Sequence, residues 1–416
     1  MVRLIEGQPR PSSTTRRVDL PDRRPARRAA DASGPLLRAV LDHGPVARSN
    51  LARLTGISTT SVTGVARILV GLGLLREVPE AAGPPGFGRP HVPLDLETES
   101  LAVLAVHFAV LKATVAVVDL RGRVLVERAL PYERPSPEGA VAQVARQVRD
   151  LREECHGRRI LGLGVAIGGW VDADAGVVVE NALLGWRDVP LRELLTGATG
   201  LPAYVENHGR ALVRAEQLFG AHAARARESI VHLFVGNVVD AAFSFRGRVH
   251  QGRRSAAGNL AHLPVDVASD AADPCACGRR SCFQAAVSER LLLRRAADLG
   301  VRARYVDELA GMADDDRVVE LFVERARVVG RAAAALVDLF NPEVLTVMEH
   351  GFMRVPTARE ALFAEVEARS EIVGDPSAVV VPSSFASVLS VAGASVLLDR
   401  VFAAPLAVMA PLSTAS

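Results

Sequence analysis

The sequence predicts an α/β protein in which an N-terminal winged helix-turn-helix domain precedes a larger α/β domain of two lobes. Three observations predict this class: a capped helix follows a glycine turn near the N-terminus, one strand pattern occurs twice, and three of the four cysteines lie within eight residues. At 416 residues, the chain is also too long for one ordinary domain. We therefore expect two or three domains.

The composition is that of a globular protein. Apolar residues make up 49% of the chain and charged residues 23%, so a sizeable core can form. The apolar run Leu101–Leu111 is too short to span a bilayer, and no apolar segment of the targeting type follows the basic N-terminus. We therefore expect a cytoplasmic protein without membrane contact. The net charge of +2 excludes a polycation, and Lys112 is the sole lysine among many arginines.

Residues 1–32 hold three arginine pairs among prolines and serines, with few apolar residues. Such a composition buries too little apolar surface to offset the entropy of ordering, so we predict a disordered arm. The arm either contacts DNA phosphates or is a solvated tail.

Residues 33–96 carry the pattern of a winged helix-turn-helix. Helices are predicted at Pro35–His43 and Ser49–Leu54, followed by the turn Thr55–Ile57. Ser58 then caps a third helix. The apolar stripe of this helix comprises Val62, Val65, Ile68, Leu69 and Leu72.

The opposite face of the third helix is polar and suits the major groove of DNA. The candidates for base or phosphate contact are Thr59, Thr60, Ser61, Thr63 and Arg67. Strands predicted at Leu75–Val78 and His91–Leu96 flank a Gly/Pro loop that forms the wing, and Arg89 in this loop is the candidate for the minor groove. The pattern indicates binding to a double-stranded DNA operator; the alternative is a three-helix protein-interaction module.

The cysteine run indicates a metal site. Cys275, Cys277, Cys282 and the upstream His262 supply four ligands of the kind that zinc prefers. Clustered cysteines in an intracellular chain favour metal over disulfides, with reduced structural thiols as the alternative. The distant Cys155 is expected to be a small buried apolar residue.

The remainder of the chain shows the strand pattern twice. Strands at Leu101–Val110, Ala113–Asp119 and Val124–Ala129, a helix at Glu138–Cys155 and a strand at Ile160–Ile167 form the first copy. The second copy begins at Ser229–Val235, and the turn Arg246–Arg248 echoes Arg121–Arg123. The repeat predicts an internally duplicated α/β domain with two lobes around a cleft.

Several motifs together resemble the ROK family of repressors, open reading frames and kinases. They are, in chain order, Gly164–Asp172, Asn181, Gly185-Trp186, Glu206-Asn207, Gly258–His262 and the cysteine run. The resemblance implies an actin-like or hexokinase-like ATPase fold at 97–416, with lobe 1 at 97–204 plus a helix at 386–402, and lobe 2 at 205–385. It also implies a sugar-responsive transcriptional regulator.

The kinase features of the family are missing here. Residues 107–111 replace the first phosphate loop and contain neither its glycines nor its carboxylate, and Asp240 in the second loop would repel a triphosphate. A Glu349-His350-Gly351 stretch replaces the adenine-side glycines, and His208 replaces the base. The sequence therefore predicts a domain without kinase activity.

The sugar-binding positions of the family are only partly kept. The matching residues are Asn181, Asn207, His208, Asn259, His262 and Gln284. Amides still form hydrogen bonds, but the family's two glutamates and its aspartate are gone. The resemblance thus implies a cleft that has lost three negative charges, which suits an anionic sugar derivative better than a neutral hexose, or else a pocket that binds nothing.

We therefore expect a transcriptional regulator, a repressor, that acts as a homodimer or a dimer of dimers and contains structural zinc. Dimers are expected because helix-turn-helix proteins usually read two half-sites. The first alternative is a sugar kinase that uses His208 as its base. The second is a ligand-independent DNA-binding dimer.

Overall fold

The computed structural model describes residues 24–81, 92–132, 136–265, 274–275 and 277–410. The first unit is the winged helix. Its elements are α1 (Arg24–His43), α2 (Arg48–Thr55), α3 (Thr59–Gly71), β1 (Leu75–Glu77) and β2 (Leu94–Leu96). The strands β1 and β2 pair in antiparallel fashion, as the sequence predicts for the base of a wing.

The turn and the cap predicted before α3 are confirmed. Gly56 ends α2 with a φ of 68°, a left-handed conformation that suits glycine. The Ser58 hydroxyl then accepts a hydrogen bond of 3.3 Å from the Ser61 N–H. The stripe of α3 is buried at Val62, Val65 and Leu69, but the prediction was wrong for Ile68, which is 41% exposed.

The predicted disordered arm is also wrong in part. Helix α1 begins at Arg24, so residues 24–32 are helical, and the rest of the arm lies outside the described residues. Helix α1 begins before the predicted start at Pro35 because it packs against the C-terminal part of the chain. A Cβ on Gly34 would clash with the Ala403 carbonyl oxygen, so only glycine permits this approach.

Lobe 1 follows the winged helix. Its elements are β3 (Leu101–Phe108), β4 (Lys112–Val118), β5 (Val124–Pro131), α4 (Pro137–Glu154), β6 (Arg159–Ile167), β7 (Trp170–Asp172), β8 (Val177–Asn181), β9 (Trp186–Val189), α5 (Leu191–Thr199) and β10 (Ala203–Asn207). The main sheet has the order β10-β6-β3-β4-β5, and β7, β8 and β9 form a separate small sheet. Because β10 runs to Asn207 within this sheet, the predicted lobe boundary at 204 falls inside a strand.

Lobe 2 and the C-terminal helices complete the chain. Their elements are α6 (His208–Phe219), α7 (Ala223–Glu228), β11 (Ser229–Val235), β12 (Val239–Phe245), β13 (Arg248–Val249), α8 (Phe283–Val287), α9 (Glu289–Asp298), α10 (Val306–Ala310), α11 (Asp316–Phe340), β14 (Val344–Met348), α12 (His350–Arg354), α13 (Pro356–Arg369), α14 (Pro376–Val379), β15 (Val380–Pro382), α15 (Val388–Ala403) and α16 (Pro405–Met409). The sheet order is β13-β12-β11-β14-β15.

The two main sheets have the same topology, which confirms the predicted duplication. In each, three antiparallel strands are followed by two parallel ones: β3, β4, β5, β6 and β10 correspond to β11, β12, β13, β14 and β15. Helix α15 returns to the first sheet. A Cβ on Gly393 would lie 2.8 Å from the Val106 carbonyl oxygen, so glycine lets this helix lie directly on β3.

The winged helix shares its apolar core with lobe 1. Leu37, Val40 and Leu69 from the winged helix belong to one buried cluster with Leu101 and Leu397. The N-terminal unit is therefore packed onto the larger domain and not tethered by a free linker. No helix among the described residues is long and apolar enough to cross a membrane.

Candidate effector cavity, metal centre and DNA-binding face

A cavity of about 610 Å³ lies between the lobes. Its wall combines the turn after β6, the β8–β9 segment, the start of α6, the start of β12 and the chain from Ser255 to His262. The carboxyl ends of the parallel strands β6 and β10 meet at this edge, which is where ligands bind in open α/β sheets.

Asn207 lies in the cavity wall, but its amide is fully engaged. The Oδ1 atom accepts from the N–H groups of Gly209 and Arg210 and so caps α6. The Nδ2 atom donates to the Gly169 carbonyl oxygen at 2.9 Å and to Asp240 Oδ2 at 3.0 Å. Two donors and two acceptors are thus used, and Asn207 serves to connect the lobes and not to hold a ligand.

Asn181 is similarly committed to the protein. Its Nδ2 donates to the Gly168 carbonyl oxygen, and its Oδ1 accepts from the Leu184 N–H. The side chain is buried. One donor and one acceptor site remain for a ligand.

His208 is buried at the start of α6 and belongs to a chain of polar groups. Its Nε2 lies 3.0 Å from Asp240 Oδ2, and its Nδ1 lies 3.4 Å from His107 Nε2. Burial is the main cause that lowers the pKa of His107 well below its usual value. It is Asp240, at the end of this chain, that lines the cavity.

The loss of the three family carboxylates therefore does not leave the cleft without negative charge. Asp240 lies in strand β12, not in a phosphate loop, and places a carboxylate in the cavity wall. Glu180 lines the cavity as well, where it pairs with Arg187 at 2.5 Å. With a carboxylate in its wall, the cavity has no reason to favour an anionic ligand.

The buried Arg210 also lines the cavity and is fully occupied. Its Nε donates to Glu206 Oε1 at 2.7 Å, while its other nitrogens donate to the carbonyl oxygens of Ser255 and Val171. Both members of this ion pair are at most 3% exposed. The pair fixes the chain at Ser255 against lobe 1 and adds little net charge to the cavity.

The other predicted ligand residues lie on the side of the cavity that carries the candidate metal cluster. Asn259 is exposed, and its Oδ1 accepts from the Ala261 N–H. Gln284 Oε1 accepts from the Val239 N–H at 3.3 Å, which ties the start of α8 to β12. His262 is exposed and lines both the cavity and the metal cluster.

The structure brings the four predicted metal ligands together. One donor atom from each of His262, Cys275, Cys277 and Cys282 lies within 4.8 Å of the other three. The distance between Cys277 Sγ and Cys282 Sγ is 3.4 Å, as is that from Cys275 Sγ to His262 Nδ1. Bond lengths of about 2.0–2.3 Å to a central ion require such spacings, so the cluster fits a tetrahedral metal.

Two thiols of this cluster have pKa values that are shifted in opposite directions. The Arg279 N–H and Cys282 lower the pKa of Cys277 to about 6, while burial raises the pKa of Cys282 to about 12. A divalent cation would favour the thiolate form of both. Cys155 lies at the end of α4 beside the lobe 1 core and is partly buried.

Three segments correspond to those that bind phosphate and adenine in the kinases of the family. Here each of them makes hydrogen bonds within the protein. The β3–β4 turn closes through a hydrogen bond from the Ala109 N–H to the Lys112 carbonyl oxygen, and the β11–β12 turn through one from Gly236 to Val238. The fully buried Glu349 accepts from the Phe352 N–H at 2.6 Å and pairs with Arg325. Glu349 is thus a helix cap in a buried ion pair.

The DNA-binding candidates on α3 share one exposed face. Thr59, Thr60, Ser61, Thr63 and Arg67 are all exposed, and Arg89 lies outside the described residues. Gly64 lies on the same face, where a Cβ would meet no atom within 4 Å. Gly64 was not among the predicted residues, although its (i, i+4) and (i, i+3) spacing from Thr60 and Arg67 could have indicated it.

Polar contacts connect the winged helix to the cavity-bearing domain. Arg38 on α1 donates to the Gln217 carbonyl oxygen on α6 at 3.1 Å. Arg121, in the β4–β5 turn, donates to the Leu41 carbonyl oxygen and pairs with Asp95 of the wing. Burial is the main cause that lowers the pKa of Arg38. Helix α6 therefore contacts the cavity at one end and α1 near the other.

The fold and the site define the class of the protein. A domain of two lobes resembles a sugar kinase but lacks the phosphate loops of the kinases. It carries a winged helix and a candidate metal centre. A model of the ROK family matches residues 103–401. A transcriptional regulator of Mycobacterium tuberculosis is 30% identical over 90% of this chain and 86% of its own length. The repressor Mlc of Escherichia coli is 25% identical over 76% of this chain and 80% of its own.

A solved regulator shares the fold over most of the chain. A ROK transcriptional regulator homologous to E. coli Mlc superposes with a TM-score of 0.75 at 21% identity, covering 92% of this chain and 98% of its own. The chain belongs to the ROK family. Its relatives place it among the transcriptional regulators of that family and not among its kinases.

Proposed function

We propose that this ROK regulator represses transcription by binding a double-stranded DNA operator through its winged helix, as a homodimer, in the cytoplasm. A small effector in the interlobe cavity changes the affinity for the operator. The observation that carries the proposal is the exposed polar face of α3 on a unit whose core continues into the cavity-bearing domain.

The face of α3 suits DNA because of its chemistry and its cap. Thr59, Thr60 and Ser61 occupy the first turn, where helix-turn-helix proteins contact base edges. Their hydroxyls both donate and accept hydrogen bonds. Arg67 lies two turns further along and adds a cation for phosphate or guanine. The Ser58 cap keeps the start of this helix ordered.

Helix α6 supports a coupling between effector and operator. Its cap residue Asn207 lines the cavity, and its Gln217 carbonyl oxygen accepts from Arg38 on α1. The helix has 12 residues, which at about 1.5 Å each span roughly 18 Å. A rigid helix of this length transmits a shift at Asn207 to the winged helix.

We assign structural zinc to the His262, Cys275, Cys277 and Cys282 cluster. Closed sites with four protein ligands are typical of structural zinc. The metal segment also lines the cavity at His262 and Cys275, so the zinc would stabilise part of the effector wall. Dimerisation follows from the expectation that a helix-turn-helix reads two half-sites.

The test replaces Arg67 by alanine and measures binding to DNA selected from a random pool by the wild type. We expect a loss of about 1–3 kcal/mol in binding free energy if Arg67 contacts bases or phosphates. Arg146→Ala removes an exposed arginine from α4 and is the matched control. Equal affinity of the Arg67→Ala variant and the wild type would remove α3 from the proposed interface.

A second candidate is a ligand-independent DNA-binding dimer, which the complete engagement of Asn207 favours. A thermal-shift screen of sugars, sugar phosphates and amino sugars separates the two, because a ligand that binds the folded state raises its melting temperature. An ATP-consumption assay with the same sugars tests the kinase alternative. We expect no turnover, since the sequence keeps neither phosphate loop of the kinases.

A further inference from the structure

We propose that Cys277 and Cys282 form a redox switch, in which a hydroperoxide oxidises the two sulfurs to a disulfide and so removes two of the four metal ligands. This inference rests on the zinc assignment made for the proposed function. It adds a response to oxidants that is separate from the effector.

The two sulfurs differ in their access to solvent. Cys277 is exposed, whereas Cys282 is only 1% exposed. A small oxidant in the solvent therefore reaches Cys277 and not Cys282. Cys275 is intermediate in exposure, and its Sγ lies 3.4 Å from His262 Nδ1. Attack on the oxidant thus falls to Cys277, and Cys282 is protected until a partner sulfur has been oxidised.

The two sulfurs need only a small movement to bond. Cys277 Sγ lies 3.4 Å from Cys282 Sγ, and a disulfide bond of about 2.05 Å requires an approach of roughly 1.4 Å. The other exposed-side partner, Cys275, is separated from Cys277 by a single residue. Cysteines that close in sequence bridge poorly, so Cys282 is the favoured partner.

The backbone holds Cys282 in place and leaves the movement to the turn that carries Cys277. Cys282 forms a β-bridge with Pro264 and immediately precedes α8. Cys277 lies in a turn that closes through a hydrogen bond of 2.9 Å from the Gly278 N–H to the Cys275 carbonyl oxygen. A Cβ on Gly278 would meet no atom of the described residues within 4 Å, so this turn borders open space.

Arg279 favours the reaction at Cys277. Its backbone N–H and its side chain both hydrogen-bond to the Cys277 sulfur. The guanidinium therefore lies where a hydroperoxide approaches this sulfur. Its N–H donors stabilise the hydroxide that leaves when the oxygen–oxygen bond breaks.

The oxidation takes two steps whose atoms and electrons balance. The Cys277 thiolate attacks one oxygen of hydrogen peroxide, the oxygen–oxygen bond breaks, and the leaving hydroxide takes a proton to become water; the sulfur is oxidised to a sulfenic acid. The Cys282 thiolate then attacks the Cys277 sulfur. The sulfur–sulfur bond forms, the sulfur–oxygen bond breaks, and the second hydroxide also leaves as water. Two thiolates, one peroxide and two protons thus give one disulfide and two waters.

The disulfide changes both the metal site and the cavity wall. Thiolates bind zinc and disulfide sulfurs do not, so only His262 and Cys275 remain as ligands. Two ligands do not make the closed site that holds structural zinc. Because His262 and Cys275 also line the cavity, oxidation loosens this part of its wall.

The experiment treats the zinc-loaded wild type with hydrogen peroxide in the presence of a dye that binds free zinc. Peptide mapping without reductant locates any disulfide, and the dye without peroxide gives the baseline. We expect a Cys277–Cys282 disulfide that forms as fast as zinc is released, and that a dithiol reductant with added zinc reverses. The melting temperature should fall, as it does on chelation. A disulfide that leaves the zinc bound, or zinc release without this disulfide, would overturn the proposal.

Two cysteine variants separate the steps. In Cys282→Ser the sulfenic acid on Cys277 has no partner sulfur, so dimedone should trap it, whereas the wild type should yield little of this adduct. Cys155→Ser is the matched control and should give the disulfide and the zinc release of the wild type. Equal trapping in Cys282→Ser and the wild type would reject the role of Cys282. The wild-type mapping decides the question even if Cys282→Ser is unstable.

Arg279→Gln tests the contribution of the guanidinium. We expect the oxidation of Cys277 to slow by about tenfold, while Arg302→Gln, which replaces an exposed arginine before α10, should oxidise at the wild-type rate. Equal rates in Arg279→Gln and the wild type would remove Arg279 from the proposal.

Elemental analysis before oxidation separates this proposal from the zinc assignment. A folded protein that contains no zinc would reject the assignment and the switch together. A protein that contains zinc but whose thiols resist peroxide would reject only the switch. Operator binding by Arg67→Ala is unaffected by either result and tests the DNA-binding function independently.

Discussion

Asp42 and Arg227 form a two-point ion pair between the winged helix and lobe 2. Arg227 Nη1 lies 2.7 Å from Asp42 Oδ2, and Nη2 lies 2.7 Å from Asp42 Oδ1. Arg227 Nε also donates to the Gln217 carbonyl oxygen on α6, at 2.9 Å. The guanidinium thus connects α1, α6 and α7, and its planar fork fixes their relative orientation.

We predict a measurable coupling between these two residues. Asp42→Asn, Arg227→Gln and the double variant are compared by the free energy of unfolding in urea. The pair is part-exposed, at 23% and 29% of side-chain surface, so we expect a coupling of about 0.5–1 kcal/mol.

Arg128 and Glu154 provide the control for this cycle. They lie within lobe 1 and are nearly half exposed, so their coupling should approach zero. Effects of Asp42→Asn and Arg227→Gln that simply add would contradict a fixed docking of α1 on α6 and α7.

The sequence predicts elements whose signals are local. The Ser58 cap, the Gly56 turn and the strand Ser229–Val235 are found at the predicted places. These features depend on side chains that are close in sequence. The clustering of the four candidate metal ligands could also be predicted, because cysteine and histidine side chains in this pattern are typical of a shared metal site.

The parts that could not be predicted depend on long-range contacts. Asp240 carries no local signal of its role, since the pairing with Asn207 and His208 joins residues more than thirty positions apart. The complete use of the Asn207 amide requires the Gly169 carbonyl oxygen from another strand turn. Helix α1 extends to Arg24 because of packing against the C-terminal helices, which no window of sequence contains.

Gly64 is predicted to lower the stability of α3 in exchange for close approach to DNA. A Cβ at this position would have no atom within 4 Å, so Gly64→Ala adds no clash and should stabilise the helix by up to about 1 kcal/mol. The added methyl group would project from the face of α3 that is proposed to contact the operator. It would keep the DNA further from the helix, so operator affinity should fall by about tenfold. Thermal unfolding and DNA titration measure the two effects.

Gly71 provides a matched control for Gly64. It also has no atom within 4 Å of its Cβ position, but it ends α3, far from the first turn. Gly71→Ala should leave operator affinity unchanged. A Gly64→Ala variant that binds the operator as tightly as the wild type would show that DNA does not approach this face.

The metal cluster predicts about one zinc per chain. Cys277→Ser removes a ligand and should abolish most of the bound zinc, with a lower melting temperature, because the energy of metal binding stabilises the fold. Chelation of the wild type should produce the same shift. Elemental analysis and thermal unfolding give the two readouts.

Cys155→Ser is the control for the zinc prediction, since Cys155 lies outside the cluster. It should retain full zinc content. Zinc content that is equal in Cys277→Ser and the wild type would exclude this cluster as the metal site. If zinc is lost while both operator affinity and ligand response persist, the metal has no part in coupling the cavity to DNA.

His232 makes the stability of lobe 2 sensitive to acid. It is fully buried on β11, its Nδ1 lies 2.7 Å from Thr346 Oγ1, and its Nε2 has no hydrogen-bond partner among the described residues. Burial, with a smaller contribution from His208, lowers the pKa of His232 to about 3. An unfolded histidine has a pKa of about 6.5.

The unfolded state therefore binds more protons than the folded state between these two pKa values, and stability rises with pH in this window. The contribution of His232 is complete above about pH 6.5 and is lost as the pH falls toward about 3. Its upper limit is about 4–5 kcal/mol, with a slope of at most about 1.4 kcal/mol per pH unit.

His232→Gln should remove this slope, and His156→Gln, which replaces an exposed histidine on the surface of lobe 1, should preserve it. Free energies of unfolding between about pH 4.5 and 7.5 provide the comparison. The slope and not the absolute stability is decisive, because His232→Gln also loses packing on β11. Parallel pH profiles for His232→Gln and the wild type would mean that His232 does not titrate on unfolding.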